Sequence, residues 1–576
     1  MRGQWRLGIV ALGLVMLAAG PTARAASGEW GRRGMVVSSV GPAVEAGREV
    51  LAAGGNAIDA AVATAFAAGV AHQFSSGIGG GGFILVYLGA TGEALAVDAR
   101  EVAPSAAHAD MFLDAEGQVD RQASRSGGST VAVPGLVQGL HELHTRYGRL
   151  SWKQVLEPAQ QLCRQGVPVG VHHRRMLELS KPKLERFPET ARIQLDAGEV
   201  PPLGWKLVQP ELARSLEAIA RRGPDALRSG GIAEAIVKSV RESGGVLTLE
   251  DLAGYRTRWR TPLRGTYRGF EILSMPPPSS GGAHLVQMLN TLEPFDLRAR
   301  GVNSSKTIHL VAEAMKLAFA DRAAHLGDPD FYPVPLAWLT SKRYGLELSE
   351  RLRPRAFWRK PPWRWGRRGV LRVEGPGTPP PDDAGTTHIS VLDYAGNAVA
   401  LTQTVNTLFG SGITAPGTGI VLNNEMDDFS AAPDAANAFG LIGDGANAVE
   451  PGKRPLSSMT PTIVLREGRP WLVLGSPMGP LIITTVLQTL LNVIDFDMNI
   501  EDAVSAPRFH HQWRPDRLLL EPEHPRDVVQ RLEGWGHPVQ VAEFHFGAAA
   551  AILWDPASGL FWGGVDPRRD TAAAGY

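Results

Sequence analysis

Between Thr387 and Val405 the sequence carries a pattern that one kind of local structure satisfies. Thr387, Ile389 and Val391 alternate with His388, Ser390 and Leu392, the period of a strand with two distinct faces. Asp393-Tyr394-Ala395-Gly396-Asn397 supplies turn residues, and Ala398 to Val405 reads as the returning strand. The hairpin is preceded by Asp382-Asp383-Ala384-Gly385-Thr386, and before that by Pro/Arg/Trp-rich sequence with no packing period. A Gly-Thr bond therefore stands where an irregular segment enters a sheet. Cutting that bond would give Thr386 a free α-amine beside its own hydroxyl. Such an amine has a pKa near ~7.7–8.0, so part of it is an unprotonated base at neutral pH. It can take the hydroxyl proton as the oxygen attacks a carbonyl. On spacing alone, a Gly-Thr-Thr at a strand start is more often just a turn.

At 576 residues the chain can bury a large core, and its length allows about two to four domains. Lys+Arg and Asp+Glu both total 58, so charge gives no argument for nucleic acid or an anionic membrane surface as partner. Arg2 and Arg6 precede an apolar run from about Leu7 to Ala19, and Ala23-Arg24-Ala25 has the form of a cleavage site. Residues 1–25 therefore read as an export signal, with Ala26 the first mature residue. The run is short for a membrane span, and no other stretch looks transmembrane. The single cysteine, Cys163, excludes an internal disulfide and reads as a buried structural residue. An exported chain without disulfides fits a bacterial periplasm or secretion.

Pro42 to Val70 has helical spacing, interrupted at Gly54-Gly55, with Asn56 placed to cap the second helix. Ser75-Ser76-Gly77-Ile78-Gly79-Gly80-Gly81-Gly82-Phe83 follows and enters a strand, Phe83 to Tyr87. It is neither a phosphate loop nor a dinucleotide fingerprint, because it lacks the Lys-Ser/Thr and the following helix those need. Ala94 to Ala99 reads as the partner strand, ending at Arg100-Glu101. Residues from about 130 to 350 read mostly as helices, among them Trp152 to Cys163, Ile232 to Ser243 and a long amphipathic helix from Thr307 to Leu326. Thr248 is placed to cap another, with Asp251 three positions on. Residues 356–381, with Trp358-Arg359-Lys360-Pro361-Pro362-Trp363 at their centre, read as a mobile connector rather than a binding patch. Trp471 to Leu474 reads as a strand. His510-His511 would point to opposite faces of a strand, so no metal site is expected there.

With these pieces named, the chain resembles the γ-glutamyltranspeptidases, a family of N-terminal-nucleophile hydrolases. The resemblance runs from about Gly34 to Tyr576. It rests on Ser76-Gly-Ile-Gly-Gly-Gly-Gly-Phe83, Arg100-Glu101, Pro277-Pro-Ser-Ser-Gly-Gly282 and Thr386-Thr-His388. Asn423-Asn-Glu-Met-Asp-Asp-Phe-Ser430, Arg454-Pro-Leu-Ser-Ser-Met459 and Gly563-Gly-Val-Asp-Pro-Arg568 complete it. It implies an α+β fold, a four-layer αββα sandwich. It implies autocatalytic cleavage between Gly385 and Thr386, giving a large subunit (26–385) and a small one (386–576) that stay associated. Thr386 would be the nucleophile, Thr404 its hydrogen-bonding partner, and Asn406 would lie beside them. Arg100, Ser457 and Ser458 would meet the substrate carboxylate, and Glu425 and Asp428 its ammonium. The donor would be glutathione or another γ-glutamyl compound, the acceptor water, an amino acid or a dipeptide. No metal and no organic cofactor is implied.

Two positions depart from the family pattern. The glycine pair whose N–H groups form the oxyanion hole is here Met478 and Gly479, followed by Pro480. If that position requires a positive φ, methionine is strained there. Phe439 occupies the lid position where many members have tyrosine, so a hydroxyl contact to Asn406 is expected to be missing. Two further readings follow: a glutaryl-amide acylase of the same superfamily, and an inactive amino-acid-binding relative. A glutaryl group has no ammonium and would leave Glu425 and Asp428 unpaired against the ligand. Retention of both acids argues for the γ-glutamyl substrate.

Overall fold

The computed structural model describes residues 28–352, 370–371, 373 and 385–576. The expected export signal and almost all of the expected connector lie outside these residues. Two seven-stranded sheets form the centre of the molecule. In the first, Gly34–Ser38, Thr387–Asp393, Ala398–Thr404, Gly81–Leu88 and Glu93–Ala99 lie side by side, flanked by Ala572–Gly575 and Arg258–Arg260. In the second the order is Glu29–Gly31, Leu560–Val565, Ala550–Asp555, Arg469–Gly475, Thr462–Arg466, Phe270–Ser274 and Leu263–Tyr267. All neighbouring pairs in both sheets are antiparallel.

The alternation in the sequence decides which face meets what. Ile389 and Val391 are fully buried against helices Gly41–Ala52 and Ala57–Ala71, together with Val36, Ile84, Val86, Val399 and Leu401. Burying one such branched side chain is worth roughly 1.5–3 kcal/mol. The opposite face turns toward the second sheet. Ser390 Oγ donates to Ala550 O at 2.9 Å, and the His388 ring packs on Gly475, leaving no space for a side chain there. His388 hydrogen-bonds Thr402 Oγ1 through Nδ1 (2.8 Å) and Ser390 Oγ through Nε2 (3.1 Å). Burial depresses its pKa to about 3, so it stays neutral, bonded within the first sheet and packed against the second. Helices Gly281–Leu292, Ser305–His325 and Leu481–Ile494 cover the outer side of the second sheet. The arrangement is an α+β sandwich with helices outside both sheets.

Local signals are met where they were expected. Asn56 and Asp59 form a capping box on Ala57–Ala71, and Thr248 and Asp251 form one on Leu249–Gly254. Cys163 is fully buried. His510 and His511 are both buried and take separate partners. His510 hydrogen-bonds Thr484 and Gln512, and His511 bonds Asp516. Leu371 and Val373, at the described edge of the expected connector, bond to Glu313, Lys316 and Asp516. Among the described residues no helix is long and apolar enough to cross a membrane.

Candidate active site

Thr386 precedes the buried strand Thr387–Asp393, which pairs with Ala398–Thr404 so that Thr387 faces Gln403. That register sets Thr404, last residue of the second strand, beside Thr386. The two hydroxyl oxygens are 3.1 Å apart. Thr404 Oγ1 also donates to the Gly385 carbonyl at 3.0 Å and accepts the Asn406 N–H at 2.8 Å. The Thr386 hydroxyl contacts the same Gly385 carbonyl oxygen. Asn406 takes a left-handed conformation (φ +80°), which asparagine tolerates better than most residues. Its side chain donates to Asn424 O at 3.0 Å. The glycine run permits this assembly: a Cβ at Gly80 would strike the Thr404 carbonyl, and one at Gly81 the carboxylate of Glu101.

Asn424 leads directly into Glu425–Asp428, a 3₁₀ turn. Here Arg100 is held between acids. Nη1 bonds Glu425, Nη2 bonds Asp428 at 2.6 Å, and Nε donates to Pro455 O at 3.2 Å. Arg100 and Glu425 are 1 % and 0 % exposed, so the charges have left water and depend on one another. Glu101 lies 3.8 Å from the same guanidinium, fully buried, and its carboxylate has no hydrogen-bond donor among the described residues. Burial, opposed by the Arg100 charge, pushes the Glu101 carboxyl up to about 7, and burial raises Glu425 well above the usual carboxylate range.

The Pro455 contact ties the segment carrying Ser457 and Ser458 to Arg100. Ser457 is buried and accepts the Met459 N–H through Oγ at 3.1 Å; its carbonyl takes both the N–H and the hydroxyl of Ser280 at 2.8 Å. Phe439 is buried beside Gly479, whose added Cβ would lie 2.8 Å from the ring. Its loop is tied to the acidic turn, because Asn437 Nδ2 donates to Asp428 Oδ1 at 3.2 Å and Ala438 N to Asp427 Oδ2 at 2.8 Å. Phe439 has no hydroxyl to offer Asn406, whose amide uses Asn424 O instead.

Met478 and Gly479 both have positive φ, +98° and +52°. The expected condition for strain at Met478 is therefore present. The side chain is 2 % exposed, packed in the core, and its sulfur accepts the Gly547 N–H at 3.1 Å. Packing thus opposes backbone strain of about 1–3 kcal/mol.

The structure groups Thr386, Thr404 and Asn406, and separately Arg100, Glu425 and Asp428, with Asn424 joining the two groups. Glu101 was legible only as the neighbour of Arg100 in the sequence. Among the described residues, His309, Glu313 and His537 have the spacing of a metal site. Their donors are already engaged. The two imidazoles meet at 2.8 Å, and Glu313 accepts from Lys316 Nζ and Leu371 N, both at 2.9 Å.

Comparison with known proteins agrees with this geometry. The model of the gamma-glutamyltranspeptidase family matches residues 43–576. The glutathione hydrolase proenzyme of Escherichia coli is 44 % identical over 547 residues, covering 95 % of this chain and 92 % of that one. The Acylase ACY 1 proenzyme of Pseudomonas sp. (strain V22) is 38 % identical, covering 91 % and 90 %. Among solved structures, cephalosporin acylase from Bacillus halodurans superposes with a TM-score of 0.85 at 29 % identity, over 97 % of this chain and 98 % of that chain. Helicobacter pylori gamma-glutamyltranspeptidase gives 0.54 at 40 % identity, over 55 % and 90 %. Fold and sequence together define an enzyme of the N-terminal-nucleophile hydrolase class. Within that class the chain belongs to the γ-glutamyltranspeptidase family.

Proposed function

We propose that the chain is cut between Gly385 and Thr386, and that Thr386 then transfers γ-glutamyl groups from glutathione and related amides to water or an acceptor amine. For the cut, Thr386 Oγ attacks the Gly385 carbonyl carbon, the C–N bond breaks, and the α-amine of Thr386 is freed as an ester forms. Water then hydrolyses that ester and restores the hydroxyl. The hydrogen bond from Thr404 to the Gly385 carbonyl supports this reading, because it stabilises negative charge as it develops on that oxygen.

In the mature enzyme the freed amine takes the hydroxyl proton while Oγ attacks the γ-carbonyl carbon of the donor. Collapse of the oxyanion expels the leaving amine, which receives the proton, and leaves a γ-glutamyl ester on Thr386. Water or an acceptor amine attacks that ester, and the threonine is regenerated. The N–H groups of Met478 and Gly479 are assigned to the oxyanion.

The observation that carries the substrate assignment is the burial of one guanidinium between two carboxylates, Arg100 with Glu425 and Asp428, joined to the nucleophile through Asn406 and Asn424. Opposite charges at that spacing are the complement of an amino-acid head, which carries one carboxylate and one ammonium. The acylase reading has the relatives' names and the 0.85 superposition in its favour. It offers the two acids no substrate ammonium to bind. The charged and apolar start of the chain supports export to the periplasm or the medium. The test is amine release from a γ-glutamyl anilide and a glutaryl anilide, with and without glycylglycine. Faster release from the γ-glutamyl compound, stimulated by glycylglycine, is expected. Preference for the glutaryl compound would establish the acylase instead.

A further inference from the structure

Just after the nucleophile group the chain makes a left-handed loop. Asn406, Phe409, Gly410 and Gly412 have φ of +80°, +55°, +51° and +88°. Phe409 is the costly one, because a bulky residue in that region is strained by about 1–3 kcal/mol. Helix Val171–Leu184 opposes the strain with apolar contacts. Its Leu177 and Leu184 are buried in one cluster with Phe74, Leu408 and Phe409, and the Phe409 N–H donates to Phe74 O at 2.9 Å. A cation from the same helix completes the contact. Lys183, the residue before its last, is half-buried. Its Nζ donates to Leu408 O at 2.9 Å, to Gly410 O, and to Thr407 Oγ1 at 3.4 Å. Oxygens gathered on one side of a loop repel one another, and an ammonium with three N–H donors offsets that.

This loop carries the joint of the site. The Asn406 N–H bonds Thr404 Oγ1, and Asn406 Nδ2 bonds Asn424 O. Thr407 donates to Asn424 Oδ1 through both its N–H and its hydroxyl, each at 3.1 Å. The Thr407 carbonyl lies against Gly385, where an added Cβ would stand 3.0 Å from it. The threonine pair, the start of the acidic turn and the residue before the cut therefore all meet one short segment. Apolar packing fixes where the Leu408 and Phe409 side chains lie. The ammonium fixes the carbonyls of Leu408 and Gly410, and with them the peptide planes that follow Asn406. Lys183 stands on the other side of the Gly385–Thr386 bond in sequence. After the proposed cut it belongs to the 26–385 fragment, and its acceptors belong to the 386–576 fragment.

We propose that Lys183 is a positioning residue for both the cleavage of the chain and the transfer reaction: its ammonium holds the Asn406–Gly410 loop so that Asn406 meets Thr404 and Asn424 together. The inference rests on the γ-glutamyl reading above. It adds a requirement for a large-subunit lysine that lies outside the charged pocket and acts through Asn406. Its loss is expected in kcat, with KM little changed.

The experiment uses the full chain and reads two steps. Cleavage is followed as a time course on a denaturing gel, and kcat and KM are measured for the fully cleaved enzyme on a γ-glutamyl anilide. Lys183→Met keeps a long stem and removes the charge. Its cleavage rate and its kcat should each fall roughly 10- to 100-fold, up to the cost of misplacing a reacting group by about 1 Å. Lys183→Cys treated with 2-bromoethylamine regains an ammonium at nearly the same reach and should recover most of kcat. The reagent selects that thiol, because Cys163, the only native cysteine, is fully buried and its thiol is pushed up to about 12 by burial. A merely structural role would lower the melting temperature and leave kcat per folded molecule unchanged, and that result overturns the proposal. So does a Cys variant equally slow before and after alkylation. If Lys183→Met does not fold, Lys183→Gln, which keeps N–H donors and loses the charge, is judged by the same criterion. Wild-type protein that releases no amine from the γ-glutamyl anilide would refute the γ-glutamyl reading itself. Wild-type turnover with unchanged kcat in Lys183→Met would refute only the role of Lys183.

Discussion

The hydroxyl oxygens of Thr386 and Thr404 lie 3.1 Å apart, across the open end of one antiparallel hairpin, and both stand at the carbonyl of Gly385. One strand register thus places the proposed attacking oxygen, its neighbour and a hydrogen-bond donor at the bond proposed to be cut. Thr386→Ala should remain one chain on a denaturing gel; two fragments from that variant would remove Thr386 as nucleophile. Thr404→Ala keeps the attacking oxygen but loses the donor to Gly385 O. Its cleavage should be slower by about 10²–10³-fold, the usual cost of one such donor, read from a time course of the same gel.

Arg100 poses a different problem. Removing it leaves Glu101, Glu425 and Asp428 around an empty space, and breaking a buried pair in this way typically costs about 3–5 kcal/mol. Arg100→Ala should therefore be less stable as well as less active. Arg100→Lys keeps one charge and loses the fork. It should fold, with γ-glutamyl turnover reduced at least tenfold; full activity in that variant would exclude the fork from the site.

The Glu101 carboxyl, pushed up to about 7 by burial, gives a stability slope with a definite sign. Between its unfolded value near ~4.3 and about 7, the folded protein holds a proton that the unfolded chain releases. Stability from this group is fully present below that window and falls as pH rises through it. Glu101→Gln removes the titration. The stability difference, wild type minus variant, should therefore decrease from pH 5 to pH 8 in thermal melts, and a difference that rises would contradict the assignment.

Met478 sets backbone strain against packing. Met478→Gly relieves a φ of +98°, worth about 1–3 kcal/mol, and discards a side chain that is 2 % exposed. Deleting a buried methionine side chain costs about 2–5 kcal/mol, so packing should win and the variant should melt lower. Turnover per folded molecule should be equal or higher, because the N–H remains. A large loss of turnover with intact folding would show that the methionine side chain itself shapes the loop.

The hairpin that carries Thr386 was legible because both its faces are apolar or paired at period two, and its turn has the residues a turn needs. Strand Ala398–Thr404 ends one residue before the expected Val405. The helix expected from Thr307 to Leu326 is present as Ser305–His325, but its amphipathic pattern was misleading. Glu313, Lys316 and Arg322 are buried there, so charge did not mark a solvent face. The hairpin Leu263–Tyr267 and Phe270–Ser274 was hidden within residues expected to be mostly helical. Its first strand contains Gly265 and the exposed Arg264, and Thr462–Arg466, far along the sequence, holds the second strand in the sheet.

The central claim is a γ-glutamyl ester on Thr386. Its most direct test is the intact mass of the two fragments after rapid mixing with a γ-glutamyl anilide and acid quenching. The account predicts that the 386–576 fragment gains the mass of one γ-glutamyl group, that the gain disappears when glycylglycine is added, and that the larger fragment is unchanged. Amine released in a burst with no mass gained on the 386–576 fragment, or with the gain on the larger one, would contradict it.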